Sequence, residues 1–204
     1  MDLDAYERLE RLLVTSQPAV VGIEATENDF RKEFAAAQRP DAVQLGVSNW
    51  KRYFPYCNTE TVALLVQNLV HKTLLMGQYL QEGRLVFCDN PRIVDSPKFE
   101  QAIMRGYQSS PELEKLVSMP PEQLRKEVAA EYAQKSYPVS DNPALSKFYS
   151  KRDQFACRVL MKQWQLLAGG TLVSIGGLDH LYADYRPNLF DRLADLNPVR
   201  MKLS

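Results

Sequence analysis

The chain has 204 residues, which is enough for one domain with a sizeable hydrophobic core. Hydrophobic residues make up 45% and charged residues 25%, a balance that excludes intrinsic disorder. Lysine plus arginine equals aspartate plus glutamate at 25 each, so no net charge draws the whole molecule to nucleic acid or to an anionic membrane.

Cysteine usage and the N-terminus indicate a cytoplasmic location. The three cysteines lie far apart and form no Cys-x-x-Cys pair, which predicts free thiols in a reducing compartment. The first residues are acidic where a signal peptide would be basic, and no apolar region follows them. The apolar segment 62–80 contains five polar side chains, including His71 and Lys72, so we predict a buried helix and no membrane insertion.

The first half of the chain predicts helices around one dominant segment. Asp4–Val14 has the pattern of an amphipathic helix, and Thr26 is a suitable cap for a helix that runs to about Gln38. Residues 18–25 between them are predicted to be irregular. The strongest helix begins at Asn58 or Thr59, runs to about Gln81 and ends before Gly83.

This helix is apolar over most of its circumference, which is typical of the centre of a bundle. If its own bundle encases this helix, its leucines, Leu69 included, are buried; the alternative is that one flank opens to a partner or a cofactor. His71 within it is predicted to be a hydrogen-bonded structural residue, and the alternative is a ligand to a haem-like cofactor.

Prolines open most helices of the second half. The predicted helices cover 96–107, a short stretch from 110, 120–135, the long segment 143–168, and two closing segments at 179–185 and 188–196. Two β-like runs, Arg84–Cys88 and Thr171–Ile175, each follow a long helix and are expected to pair as a two-stranded ladder. We therefore predict a mainly α protein: one domain over residues 1–204, a helical bundle with two long central helices and one short two-stranded β element.

Known catalytic and metal-binding patterns are missing from the sequence. It contains no Gly-x-Ser-x-Gly elbow, no phosphate-binding P-loop and no Gly-x-Gly-x-x-Gly fingerprint. Neither His71 nor His180 has a glutamate three residues before it, which excludes the di-iron carboxylate pattern. His180 and Asp184 alone are too few ligands for a stable metal site. No catalytic residue, metal or cofactor is predicted.

Residues 42–48, Ala-Val-Gln-Leu-Gly-Val-Ser, resemble the turn of a helix-turn-helix motif, in which an alanine precedes the turn glycine by four positions. The resemblance implies DNA binding through a helix that begins after Gly46. The sequence departs from the motif at Arg52, where a buried aliphatic residue is expected, and Pro55 would cut the recognition helix short. The alternative is an ordinary corner in which two helices meet at Gly46.

Basic and aromatic residues occur together in segments 50–56 and 147–164. Such residues form protein interfaces or stack on nucleic-acid bases. We expect a non-catalytic interaction or regulatory protein that docks on a protein partner through this aromatic and basic surface. The alternative is a nucleic-acid-binding protein, followed by a helical ligand-binding protein; homo-oligomerisation stays open. The candidate binding residues are Trp50, Lys51, Arg52, Tyr53, Lys147, Lys151, Arg152, Arg158 and Lys162.

Overall fold

The computed structural model describes residues 2–94, 110–133, 143–177, 181 and 187–201, with the backbone alone for 143–147. Within these ranges the chain is mainly helical. The α-helices are α1 (Ala5–Ser16), α2 (Glu27–Ala37), α3 (Ala42–Tyr53), α4 (Thr59–Gln81), α5 (Pro91–Val94), α6 (Pro111–Ser118), α7 (Pro121–Ala133), α8 (Pro143–Leu166) and α9 (Leu189–Arg192). The strands are β1 (Val20–Ile23), β2 (Leu85–Phe87) and β3 (Leu172–Ile175), and a 3₁₀ turn covers Ala194–Leu196.

Local signals fix several helix ends as the sequence predicts. The side chain of Asn58 accepts a hydrogen bond from the amide of Thr61 and caps α4, and Thr26 caps α2 through the amide of Asp29. Gly83 follows α4 with φ of +69°, a conformation that glycine adopts at little cost. The predicted helices at 96–107 and 179–185 lie outside the described residues, Leu181 apart.

The three strands form one parallel sheet in the order β2-β1-β3. The predicted ladder between 84–88 and 171–175 is therefore wrong, because β1 lies between these runs and hydrogen-bonds to both. The prediction missed β1 since only four residues form it and Gly22 interrupts its apolar pattern. The glycine lets α8 pack closely on β1, because a Cβ at this position would lie 2.8 Å from Leu160 Cδ2.

Helices cover both faces of the sheet. On one face α1, α2 and α4 surround Val21 and Ile23, and on the other α8 and α9 pack against Cys88 and Leu172. The two long helices α4 and α8 thus belong to different layers, and the sheet lies between them. Such burial on both faces is usual for parallel sheets and explains why their strands read as short, continuous apolar runs.

Helix α4 is the centre of its own layer, as its apolar circumference indicates. It contributes to clusters with α1 and α2, with α3 and α6, and with α7. Encasement on every side, which would bury Leu69, is wrong: 49% of this residue is exposed, because it lies on the flank that no neighbouring helix covers in the described part of the chain.

Residues 42–48 contain no turn. Helix α3 continues from Ala42 to Tyr53 through Gly46, so both the helix-turn-helix reading and the helix corner at Gly46 are wrong. A Cβ at Gly46 would lie 2.4 Å from Val66 Cγ1 of α4. The glycine therefore lets α3 and α4 approach closely and does not bend the chain.

No helix among the described residues has the length and apolarity needed to cross a bilayer.

Candidate functional site

The carboxyl ends of the three parallel strands meet at one edge of the sheet. Glu24 follows β1, Cys88 and Asp89 follow β2, and Gly176 follows β3. The chain passes from β1 to a neighbour on one side and later to a neighbour on the other, so the end of β1 is a topological switch point. In open α/β sheets ligands commonly bind at such a point.

Arg152 of α8 occupies this point. Its Nε donates to Oδ1 of Asp89 at 2.8 Å, and its Nη2 donates to the second Asp89 oxygen and to Oε1 of Glu24 at 2.6 Å. The other Glu24 oxygen accepts from the amide of Gly177 at 2.9 Å. A single guanidinium therefore ties α8 to the ends of β1 and β2, and Glu24 connects this pair to the segment after β3.

The environment of Arg152 is largely dry, since its side chain is 12% exposed and that of Asp89 4%. Burial alone would lower the pKa of the guanidinium, but the hydrogen bonds to Asp89 and the charge of Glu24 outweigh it, so the pKa is raised. Desolvation, followed by the charges of Asp89 and Glu24, raises the pKa of the neighbouring Cys88 thiol to about 12. The thiol is therefore protonated at neutral pH and is a poor nucleophile.

The space left around these groups is about 20 Å³, which admits about one water molecule. Among the described residues no three His, Cys, Asp or Glu side chains converge as metal ligands would. The cluster of Glu24, Asp89 and Arg152 is best explained as an internal tie of the fold.

A much larger cavity runs along the outer edge of β3. This β3 groove has a volume of about 440 Å³. One wall is α1, the other is α8 with α9, and the 3₁₀ turn and the C-terminal residues 197–201 flank it. Its described lining is Leu9, Leu12, Ser16, Leu160, Trp164, Gly170–Gly176, Leu181, Leu189, Phe190, Leu193 and Leu196–Met201.

The lining of the β3 groove is mostly apolar, and part of it is open to solvent. Trp164 is 42% exposed, Val199 85% and Met201 55%. Arg200 is the one charged side chain in the described lining, where it lies 4.5 Å from the centre of the Phe190 ring and donates to the carbonyl of Leu181. Large exposed apolar residues around one cavity are a common feature of protein binding surfaces.

The first predicted segment lies at the end of α3, away from the groove. Trp50 is half-buried against Phe54, with ring centres 5.6 Å apart, and belongs to the cluster shared with α4 and α6. Lys51, Arg52 and Tyr53 are exposed on the last turn. Trp50 thus belongs to a hydrophobic cluster, whereas the three side chains that follow it are accessible to solvent.

The second segment lies on α8. Lys151, Arg158 and Lys162 are exposed on one face of the helix, and Arg158 lies 6.0 Å from the Phe155 ring. None of these three cations has a carboxylate within ion-pair distance among the described residues. Arg152, by contrast, belongs to the internal tie. For Lys147 the backbone lies in α8, and its side chain is outside the description.

Sequence reasoning placed Trp164 in a basic and aromatic segment but did not select it as a site residue. It predicted a helix at α1 and a β-like run at β3, but it selected no site residue from α1, β3 or the C-terminal residues 197–201. Two signals were available. Trp164 lies between Gln163 and Gln165, an unusually polar setting for a core tryptophan, and Val199 and Met201 follow Pro198 outside any predicted helix. Their convergence depends on residues up to about 190 positions apart, which no local pattern reports.

Comparison with known proteins gives no relative: no family model, no curated protein and no solved structure matches this chain significantly.

Proposed function

We propose that this chain is a non-catalytic interaction protein that docks a protein partner in the β3 groove. The observation that carries the proposal is the exposure of Trp164, Val199 and Met201 around an apolar cavity of about 440 Å³. The three cysteines are free, which is consistent with a cytoplasmic setting for this interaction.

Trp164 has the properties of an anchor residue. A tryptophan contributes a large apolar surface and one N–H donor, and such residues dominate the binding energy of protein interfaces. Around Trp164 the side chains of Leu12 and Met201 would exclude water once a partner is seated. The interaction hypothesis drawn from the sequence is kept, but the proposed surface moves from the end of α3 and the basic face of α8 to the groove.

Site-specific photocrosslinking tests the proposal. A photoreactive phenylalanine at position 164 is expected to form a discrete adduct with one protein in cells of the source organism. The same residue at position 56, where Tyr56 is exposed but does not line the groove, is the control. An identical adduct pattern at both positions, or no adduct at 164, contradicts the proposal.

The face of α8 that carries Lys151, Arg158 and Lys162 supports nucleic-acid binding as a second candidate. These residues are spaced by seven and four positions, so they lie along one side of the helix, opposite the buried Ala156 and Leu160. Such a stripe can neutralise consecutive phosphates.

Charge reversal separates this candidate from a merely solvated face. If the stripe binds RNA, Lys151→Glu with Lys162→Glu should abolish retention of a labelled single-stranded RNA, and binding by the unmodified chain should fall steeply with salt. Lys115→Glu with Lys126→Glu, at two exposed positions on other helices, is the matched control. Arg152 is unsuitable for this test because its reversal would break the internal tie.

A further inference from the structure

The open edge of β3 carries unused hydrogen-bonding capacity inside the β3 groove. Residue Val20 of β1 pairs with Leu172, and Gly22 pairs with Ser174. In a parallel ladder this register directs the backbone groups of 171, 173 and 175 toward β1, as the bonds to the carbonyls of Thr171 and Ile175 illustrate. The backbone N–H and C=O of Leu172 and Ser174 therefore point away from the sheet, where the described residues contribute no further strand.

These outward groups lie at the base of an apolar cleft. Leu172 and Ser174 both line the groove, between the α1 wall and the wall formed by α8 and α9. An apolar small molecule would cover these amides without satisfying them, and a buried, unpaired backbone group is costly. An extended peptide supplies matching donors and acceptors at the spacing of a strand.

The α1 and α8 walls of the β3 groove also favour a peptide over a second copy of this chain as the occupant. For two copies to join through their β3 edges, both edges would have to protrude. Here the strand edge lies within a cavity that α1 and Trp164 of α8 also line, so it does not protrude, and a single extended segment fits this arrangement better than a second sheet edge.

We propose that the partner docks by β-strand addition: an extended, apolar segment pairs with the backbone of Leu172 and Ser174 and covers Trp164. This inference rests on the proposed function, since it names how the partner occupies the same groove.

The test uses peptides of about ten residues, selected by display on the full chain and measured by fluorescence anisotropy. Trp164→Ala should weaken binding by about 30-fold or more, the effect of losing an anchor residue, whereas Tyr56→Ala should not change it.

Methylation of the peptide amides one at a time should weaken binding at every second position. The amides of Leu172 and Ser174 should gain hydrogen-exchange protection on binding, and those of Val173 and Ile175, already bonded to β1, serve as internal controls.

The outcomes separate the two proposals. Binding that depends on Trp164 but shows no two-residue periodicity and no protection of Leu172 and Ser174 would overturn strand addition and keep the groove as the docking site. Failure to select any Trp164-dependent peptide would overturn both. A concentration-dependent dimer that Trp164→Ala dissociates would identify a second copy as the occupant and overturn the peptide.

Discussion

At the scale of single residues, three glycines set how closely neighbouring helices and strands approach. Gly22, Gly46 and Gly77 each face a neighbouring side chain at a distance that leaves no space for a Cβ. Gly77 is the tightest of them, because a Cβ there would lie 2.0 Å from Cε2 of Phe34. The ring of Phe34 thus packs directly on the backbone of α4.

Gly77→Ala is expected to destabilise the protein. Alanine favours a helix by about 1 kcal/mol over glycine, but overpacking at this contact costs about 1–3 kcal/mol and more when the ring cannot move. Chemical denaturation should show the net loss, and Gly77→Ala combined with Phe34→Leu should recover part of it. Gln78→Ala, one residue further on the exposed side of α4, is the control; a Gly77→Ala protein more stable than this control would refute the contact.

Cys88 should resist alkylation. With a thiol pKa of about 12, the thiolate fraction at pH 8 is on the order of 10⁻⁴. Mass spectrometry after native treatment with iodoacetamide should find Cys88 unmodified while the half-exposed Cys57 reacts. Modification of Cys88 at the rate of Cys57 would contradict the buried site.

The same pKa has a consequence for stability with a definite sign. Above about pH 9 the unfolded chain loses the Cys88 proton, whereas the folded chain keeps it up to about pH 12. The unfolded state then binds fewer protons, so the free energy of unfolding should fall as the pH rises through this window. Cys88→Ala should reduce that slope in denaturation curves taken between pH 8 and 11.

At the scale of elements, α4 has a covered side and an open flank, and substitutions should report the difference. Met76 is buried between α4 and the sheet, whereas Leu69 is half-exposed. Met76→Ala should cost about 2–5 kcal/mol through lost burial and the cavity that remains, and Leu69→Ala under about 1 kcal/mol. If thermal or chemical denaturation shows equal losses in the free energy of unfolding for both variants, Leu69 is buried and this flank of α4 is not open to solvent.

One buried ion pair adds to the apolar contacts by which α8 packs on the sheet. Arg152→Met removes the partner of Asp89 and leaves an uncompensated charge in a dry site, which costs about 3–5 kcal/mol. Arg158→Met on the exposed face of the same helix should change stability by no more than about 0.5 kcal/mol. If both substitutions have the same small effect on the free energy of unfolding, the tie does not hold α8 in place.

At the scale of the whole molecule, the sheet joins segments that are far apart in the chain. Its strands begin at residues 20, 85 and 172, so neither half of the sequence can complete it alone. We therefore expect one cooperative unfolding unit, in agreement with the single domain predicted from the sequence.

The two tryptophans make this expectation measurable. Trp50 reports on the cluster of α3, α4 and α6, and Trp164 reports on the β3 groove. The fluorescence transitions of Trp50→Phe and Trp164→Phe, compared with helix loss by circular dichroism, should coincide after correction for the stability of each variant. Two separated transitions would show that the helical cluster and the sheet unfold independently.

The sequence by itself determined the helical class and most helix ends. These depend on short-range physics: Asn58 and Thr26 accept hydrogen bonds from amides three residues on, Gly83 ends α4, and apolar periodicity marks α4 as a central helix. The tertiary structure alone decided the sheet order, the buried position of Arg152 and the groove beside β3. Each of these depends on segments that are distant in the chain, such as Arg152 and Glu24, which form an ion pair, or Trp164 and α1, which line the same groove. The residues next to Arg152 in the sequence are the same whether its partner is a distant carboxylate or water, so a local pattern cannot distinguish the two.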